Sequence, residues 1–318
     1  MVSVVAPVYN EKDNLPILHE RLARAFADCG VLEWELILVD DASTDGSWDV
    51  VRGLHERDGR VRGARLSRNF GQQAAIAAGL DRARGDVVVV MDADLQDPPE
   101  LIPQLLARIG EGYDVVYTVK RSRGEPWLRK QLFNLFYAIQ TRLAQPPMPA
   151  QAGTFCALTR RVVEALRQMP ERSRYFSGLR AYAGFRQTRV EFDRPARLHG
   201  KPQQSLGKLI KTGLDAIFAY SYVPARLASI LGFVTAFVAL AFTVWVLYQK
   251  WITHTAILGW ASTMVSHLFL GAVQLICIGI LGEYVARIYE EVRHRPLYIV
   301  AEEVGSDTEA GSGCAGAG

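Results

Sequence analysis

Five apolar residues, Val87-Val88-Val89-Val90-Met91, run straight into Asp92-Ala93-Asp94-Leu95-Gln96-Asp97-Pro98-Pro99. The first run is short and rich in β-branched residues, which predicts a buried strand. The two prolines end its hydrogen-bond ladder, since neither can donate to it. Between strand and prolines, Asp92, Asp94 and Gln96 stand at two-residue spacing. They form a set of hard oxygen donors suited to Mg²⁺ or Mn²⁺ carrying substrate phosphates. An ordinary strand-to-helix turn, with Asp97 capping a helix that has Pro98 at its first position, would account for Asp97 alone.

Around this run the chain alternates. Strands are predicted at Val2 to Val8, Glu35 to Asp40, Val61 to Leu66, Asp86 to Met91 and Asp114 to Val119. Helical patterns lie near Asn14 to Cys29, Ser47 to Glu56, Gly71 to Ala83 and Glu100 to Gly110. Such alternation predicts an α/β fold with a parallel, doubly wound sheet that binds ligands beyond the carboxyl ends of its strands. Polar clusters fall at those ends: Tyr9-Asn10-Glu11, Asp40 to Asp45, Arg68-Asn69 and the Asp92 run. A dinucleotide dehydrogenase would need G-x-G-x-x-G after the first strand, where this chain has Pro7-Val8-Tyr9-Asn10-Glu11-Lys12-Asp13. A phosphate-binding G-x-x-x-x-G-K-[ST] loop is absent as well, so the expectation is that a metal holds the pyrophosphate.

The 318 residues carry a formal net charge of only +3, which leaves no electrostatic footprint for nucleic acid. A mean hydropathy near zero conceals a division of the chain. Ala228 to Tyr248 and Trp260 to Gly282 are stretches of 21 and 23 residues without Asp, Glu, Lys or Arg. At 1.5 Å per residue each spans about 30 Å, the thickness of bilayer hydrocarbon. Lys208, Lys211 and Arg226 precede the first stretch; Arg287, Arg293 and Arg295 follow the second; the connector Gln249 to Leu258 has only Lys250. The charge bias therefore predicts a hairpin in the inner membrane with both termini and the large domain in the cytoplasm. Trp245, Tyr248, Trp251 and Trp260 fit an outer aromatic belt. His267 and Gln274 are expected to hydrogen-bond between the two helices, and Glu283 to pair with Arg287. Met1 leads directly into a strand, so no signal peptide is expected. Cys29, Cys156, Cys277 and Cys314 have no paired spacing and fit reduced thiols. The domain expectation is a catalytic part at 1–204, a juxtamembrane helix at 205–226, two spans within 227–290, and a tail at 291–318 that is disordered from about 305.

Taken together, these motifs give the chain a resemblance. Pro7-Val8-Tyr9-Asn10-Glu11, Asp40-Asp41-Ala42-Ser43-Thr44-Asp45, Arg68-Asn69-Phe70-Gly71-Gln72 and the Asp92 to Pro99 run resemble the family 2 inverting glycosyltransferases. With Arg160-Arg161-Val162-Val163, Leu281 to Tyr284, Arg287 to Tyr289 and Arg295 to Tyr298, the likeness is to their membrane-anchored polyprenyl-phosphate branch and covers roughly residues 1–300. It implies a GT-A, Rossmann-like catalytic domain. It also implies that Pro7, Tyr9, Glu11, Asp40 and Asp41 cradle base and ribose, and that Asp92 supports the nucleotide. Asp94 and Gln96 would hold Mg²⁺ or Mn²⁺ on the diphosphate, with Arg121, Arg129 and Lys130 facing phosphate oxygens. The donor so implied is a nucleotide sugar, with UDP-glucose favoured, and the acceptor a polyprenyl phosphate.

Acceptor handling falls to the juxtamembrane part. Leu206, Leu209, Ile210, Leu214, Ile217 and Phe218 recur at helical spacing with Lys208 and Lys211 off the stripe, which predicts an interfacial helix. Lys201, just before it, would bring a cation to the lipid phosphate. One departure stands out. The resemblance leads one to expect A-G-D-F-R before the Arg160 helix, whereas this chain reads Ala152-Gly153-Thr154-Phe155-Cys156. Thr154 is no base and Cys156 no substitute for an arginine fork. An acceptor phosphate already ionised at neutral pH would make a base dispensable. Other sugars, a processive polysaccharide synthase, a non-catalytic membrane scaffold and a homo-oligomeric state all stay open at this level.

Overall fold

The computed structural model describes residues 1–120, 152–169, 171, 174–192, 223–251 and 259–305. β1 (Val2–Val8), β2 (Trp34–Asp40), β3 (Val61–Leu66), β4 (Val87–Val90) and β5 (Val115–Lys120) form close to where the apolar runs predict them. α1 (Asn14–Asp28), α2 (Ser47–Arg57), α3 (Gln72–Arg82) and α4 (Ile102–Gly110) fill the intervals. Each of the seven residues of β2 is buried, because helices cover both faces of the sheet. On one face, Val4, Leu36, Leu38 and Val89 pack with Leu18 and Leu22 of α1 and Val51 of α2. On the other, Val5, Ile37, Val39 and Val90 pack with Ala75 and Ile76 of α3.

The sheet differs from the uniformly parallel one expected. It has eight strands in the order β7-β5-β6-β4-β1-β2-β3-β8. β6 (Ala152–Thr159) runs antiparallel between β4 and β5, and β7 (Gln187–Phe192) lies parallel to β5. Strands buried on both faces need the same residues whichever way they run, so the apolar pattern of Phe155 to Leu158 predicts burial and leaves direction open. α5 (Arg160–Arg167) and α6 (Phe176–Tyr182) complete this side.

The other edge is closed by β8 (Val300–Val304), antiparallel to β3, in a stretch expected to be plain tail. Its side chains are tied down. Trp48 Nε1 donates to Glu302 Oε2 at 2.9 Å and Arg65 Nη1 meets Glu302 Oε1 at 3.0 Å. Arg82 pairs with Glu303, and Tyr298 donates its hydroxyl to Asp81 Oδ2 at 2.6 Å. Burial, helped by that bond, pushes the Tyr298 hydroxyl up to about 12. Residues 306–318, where disorder was expected, lie outside the described residues.

The chain divides into two compact units, Met1–Ser205 with Arg295–Gly318, and Leu206–His294. The second unit contains α7 (Val223–Trp251) and α8 (Trp260–Val292), helices of 29 and 33 residues that pack on each other. Among the described residues, Phe269–Val292 is long and apolar enough to cross a membrane, while the apolar part of α7 is the shorter Ile230–Phe242. Phe233, Phe237 and Leu275 are each more than 70 % exposed, at 78 %, 73 % and 71 %. Such apolar surface is what a helix turns toward lipid or another chain. Glu283 and Arg287 pair as expected, at 2.8 Å. His267 departs from expectation: its Nδ1 lies 2.9 Å from the Thr263 carbonyl oxygen one turn back in its own helix. The nearest acceptor for a polar side chain in a helix is the backbone of the preceding turn, and this one is taken.

The contact between α3 and β1 is close. A Cβ at Gly79 would stand 2.2 Å from Val5 Cγ1. Gly79→Ala would gain about 1 kcal/mol of helix propensity and cost about 1–3 kcal/mol through overpacking. The variant is expected to unfold at a lower temperature than the parent; a higher midpoint would show that the layer has room.

Candidate active site

The loops leaving β1, β2, β3 and β4 meet at the carboxyl edge of the sheet, and each is held by its neighbours. Asn10 N donates to Ser43 Oγ at 2.9 Å, and Thr44 N donates to Asn10 Oδ1 at 2.8 Å. Glu11 N donates to Ser47 Oγ at 3.0 Å and Lys12 N to Asp45 Oδ2 at 3.1 Å. Asn10, Ala42 and Leu95 have φ of 58°, 57° and 60°. Non-glycine residues in that region are held there by their surroundings, and they cluster at functional sites.

Asp40 and Asp41 are both buried, and they differ in their partners. Asp41 takes Phe70 N on Oδ1 at 2.7 Å and Gly71 N on Oδ2 at 2.9 Å, which fixes the β3–α3 loop. Asp40 Oδ1 accepts from Ser43 N at 3.2 Å, while Oδ2 has no hydrogen-bond donor and lies 3.4 Å from Arg65 Nε. Burial pushes both carboxyls above the usual range; the Ser43 bonds and Arg65 pull Asp40 back, and the Phe70 and Gly71 amides pull Asp41 back.

The acidic turn after β4 folds on itself. Asp94 Oδ1 accepts from Gln96 N at 3.1 Å, and Asp97 Oδ2 accepts from Asp92 N at 3.2 Å. Asp97 is therefore a clamp across the turn. The expected helix cap is absent: Pro98 takes the cap position in extended geometry, and Pro99 opens the short helix Pro99–Leu101. Asp92 is half-buried and receives Gln72 Nε2 on Oδ1 at 2.6 Å, from the first residue of α3. Asp94 and Gln96 are each 9 % exposed. Among the described residues no three His, Cys, Asp or Glu side chains come together as a metal cage. A hard divalent cation at a phosphate-binding site takes one or two carboxylates from the protein and the rest of its shell from phosphates and water. The donor chemistry of Asp94 and Gln96 fits such an ion.

Of the expected site residues, Pro7, Tyr9, Glu11, Asp40, Asp41, Asp92, Asp94 and Gln96 share this edge of the sheet. Tyr9 is 41 % exposed and presents a ring there. Arg121, Arg129, Lys130, Lys201, Lys208 and Lys211 lie outside the described residues. Gln72 and the clamp Asp97 are additions from the structure. Gln72 stood in a quoted motif, but its reach to Asp92 depends on the order of β4 and β1 beside α3, which spacing along the chain does not give.

A mixed sheet with an acidic, hard-oxygen turn after β4 and buried carboxylates at the end of β2 presents at one edge the groups a nucleotide-sugar transferase uses. The chain belongs to glycosyl transferase family 2, whose model matches residues 3–167. It is 40% identical over 302 residues to an uncharacterized glycosyltransferase of Synechocystis sp., covering 95% of each. To a prophage bactoprenol glucosyl transferase homolog of Escherichia coli it is 34% identical over 300 residues, covering 94% of this chain and 98% of that one. Among solved structures, glucosyl-3-phosphoglycerate synthase from Mycobacterium tuberculosis, in complex with Mn²⁺, UDP and phosphoglyceric acid, matches with a TM-score of 0.51 and 19% identity. That match covers 69% of this chain and 78% of the synthase and concerns the fold. The protein is a glycosyltransferase.

The raised Asp40 carboxyl sets a pH dependence. The folded protein holds this proton more tightly than the unfolded chain, so the group's contribution to stability is lost as pH rises from about 4 through the folded pKa. Asp40→Asn stays neutral throughout. Its thermal midpoint relative to the parent should therefore rise between acid and neutral pH; a constant difference would show that Asp40 titrates normally.

Proposed function

We propose that the protein transfers a hexose, with UDP-glucose as donor, to polyprenyl phosphate at the cytoplasmic face of the inner membrane, with inversion at the anomeric carbon. The observation that carries this reading is the clamped Asp92–Asp97 turn at the same sheet edge as the buried carboxylates Asp40 and Asp41. The exposed Tyr9 ring and the Asn10 loop beside these carboxylates would meet the base and ribose. Asp94 and Gln96 would hold Mg²⁺ or Mn²⁺, whose charge would stabilise the departing nucleoside diphosphate. Arg121, Arg129 and Lys130 would face the phosphates. The relatives named bactoprenol glucosyl transferases support a lipid phosphate as acceptor.

A lipid phosphomonoester has a second pKa near about 6, so its attacking oxygen is anionic at neutral pH. The protein's task is then to align oxygen and anomeric carbon in line and to neutralise charge. Lys201, Lys208 and Lys211 would draw the lipid headgroup to the site. Topology has support from the sheet. β8 follows α8 in sequence yet pairs with β3, which precedes α7. A unit built from chain on both sides of the two helices needs an even number of membrane crossings. The basic flanks favour the cytoplasm for that unit.

Membranes containing the protein, given labelled UDP-glucose and polyprenyl phosphate, should yield a lipid-linked hexose. Asp94→Asn should abolish it, and EDTA should do the same reversibly on addition of Mg²⁺ or Mn²⁺. Full turnover in EDTA would overturn the metal role, and transfer from another nucleotide sugar alone would overturn the donor. Thr154→Ala should keep most of kcat. General-base catalysis contributes about 10²–10⁴-fold, so a loss of that size with binding unchanged would give the hydroxyl a direct role.

A further inference from the structure

Arg180 on α6 is 0 % exposed, the largest side chain buried so completely among the described residues. A buried guanidinium without a carboxylate is costly unless it serves something nearby. Among the described residues it forms no ion pair, and its Nε and Nη2 have no hydrogen-bond partner. Its guanidinium lies 4.9 Å from the Tyr117 ring centroid and 5.8 Å from that of Phe176, and Nη1 donates to the Gly153 carbonyl oxygen at 3.3 Å.

These neighbours fix where the charge sits. Tyr117 is the register partner of Cys156, and Cys156 is in turn the partner of Val90, the last residue of β4 before the acidic turn. Gly153 lies near the start of β6, at the same sheet edge. Burial raises the Cys156 thiol, and the Arg180 guanidinium pulls it back down. Cys156 is also the position at which the family resemblance implies an arginine.

We propose that Arg180 is a positioning residue for the transfer reaction: from α6 it supplies, under the acidic turn, the guanidinium that position 156 of β6 lacks. It holds the Gly153 carbonyl, and through it the Thr154 backbone. The proposal rests on the glycosyl-transfer reading above and assigns it a residue no motif contains.

The test uses the full-length protein in membranes and reads kcat, donor KM, divalent-dependent UDP binding and thermal midpoint. Arg180→Met should lower kcat about tenfold or more, the scale of a lost charged hydrogen bond, with donor KM and UDP binding unchanged; Arg180→Lys should recover part. Adding Cys156→Arg to Arg180→Met should restore turnover, which a merely structural arginine would not require. Full kcat in Arg180→Met overturns the proposal. So does a double variant that turns over no faster than the single one, whatever its stability. Absence of transfer by the unmodified protein would bring down the glycosyl-transfer reading itself, and this inference with it.

Discussion

The site depends on backbone amides at the end of a sheet finding acceptors outside the ladder. Where a parallel strand stops, its following N–H groups lose their partners, and leaving them buried and unpaired is expensive. Here the acceptors are short polar side chains: Ser43 for Asn10, Ser47 for Glu11 and Asp41 for Phe70 and Gly71 from adjacent loops, and Asp97 for Asp92 within one turn. The bonds to Ser43, Ser47 and Asp41 lock three loops into one wall, and Gln72 ties the β4 turn to it. Carboxylates therefore have two kinds of work at this edge. Asp41 and Asp97 are committed to structure, while Asp40 keeps an oxygen without a donor and Asp94 sits in a turn with an amide at its side.

This division bears on how much the chain alone discloses. The five leading strands and four helices were legible because burial on both faces demands unbroken apolar runs, and helices demand their period. The acidic turn was legible because oxygen donors at the end of such a run have little structural reason to be there. Strand direction was illegible. β6 carries a burial signal that fits either sense, and β8, with two glutamates in five residues, has almost none. Its partners Trp48, Arg65 and Arg82 are about 220 to 254 residues away along the chain. The reading of Asp97 as a cap failed for a local reason: two consecutive prolines moved the helix start by one residue and freed the carboxylate for Asp92 N. Arg180 gave no signal at all, since one arginine in a short helix is ordinarily a surface charge.

The second unit shows the opposite economy. In α8, polar side chains bond along their own helix, as with His267 on Thr263 and Glu283 on Arg287. Helices of this kind gain stability from whatever surrounds them. The sheet unit, with both faces covered and its loops cross-bonded, carries its stability inside.

β8 also fixes an order of events in synthesis. Until about residue 305 has left the ribosome, β3 is an open edge with unpaired amides and carbonyls, and Trp48 and Arg65 lack their glutamate. Both long helices are made before that strand exists. The glycosyltransferase sheet therefore cannot be completed before its helical unit has been synthesised, and a chain cut short between residues 251 and 300 leaves a transferase with an exposed strand, prone to pair with the wrong neighbour.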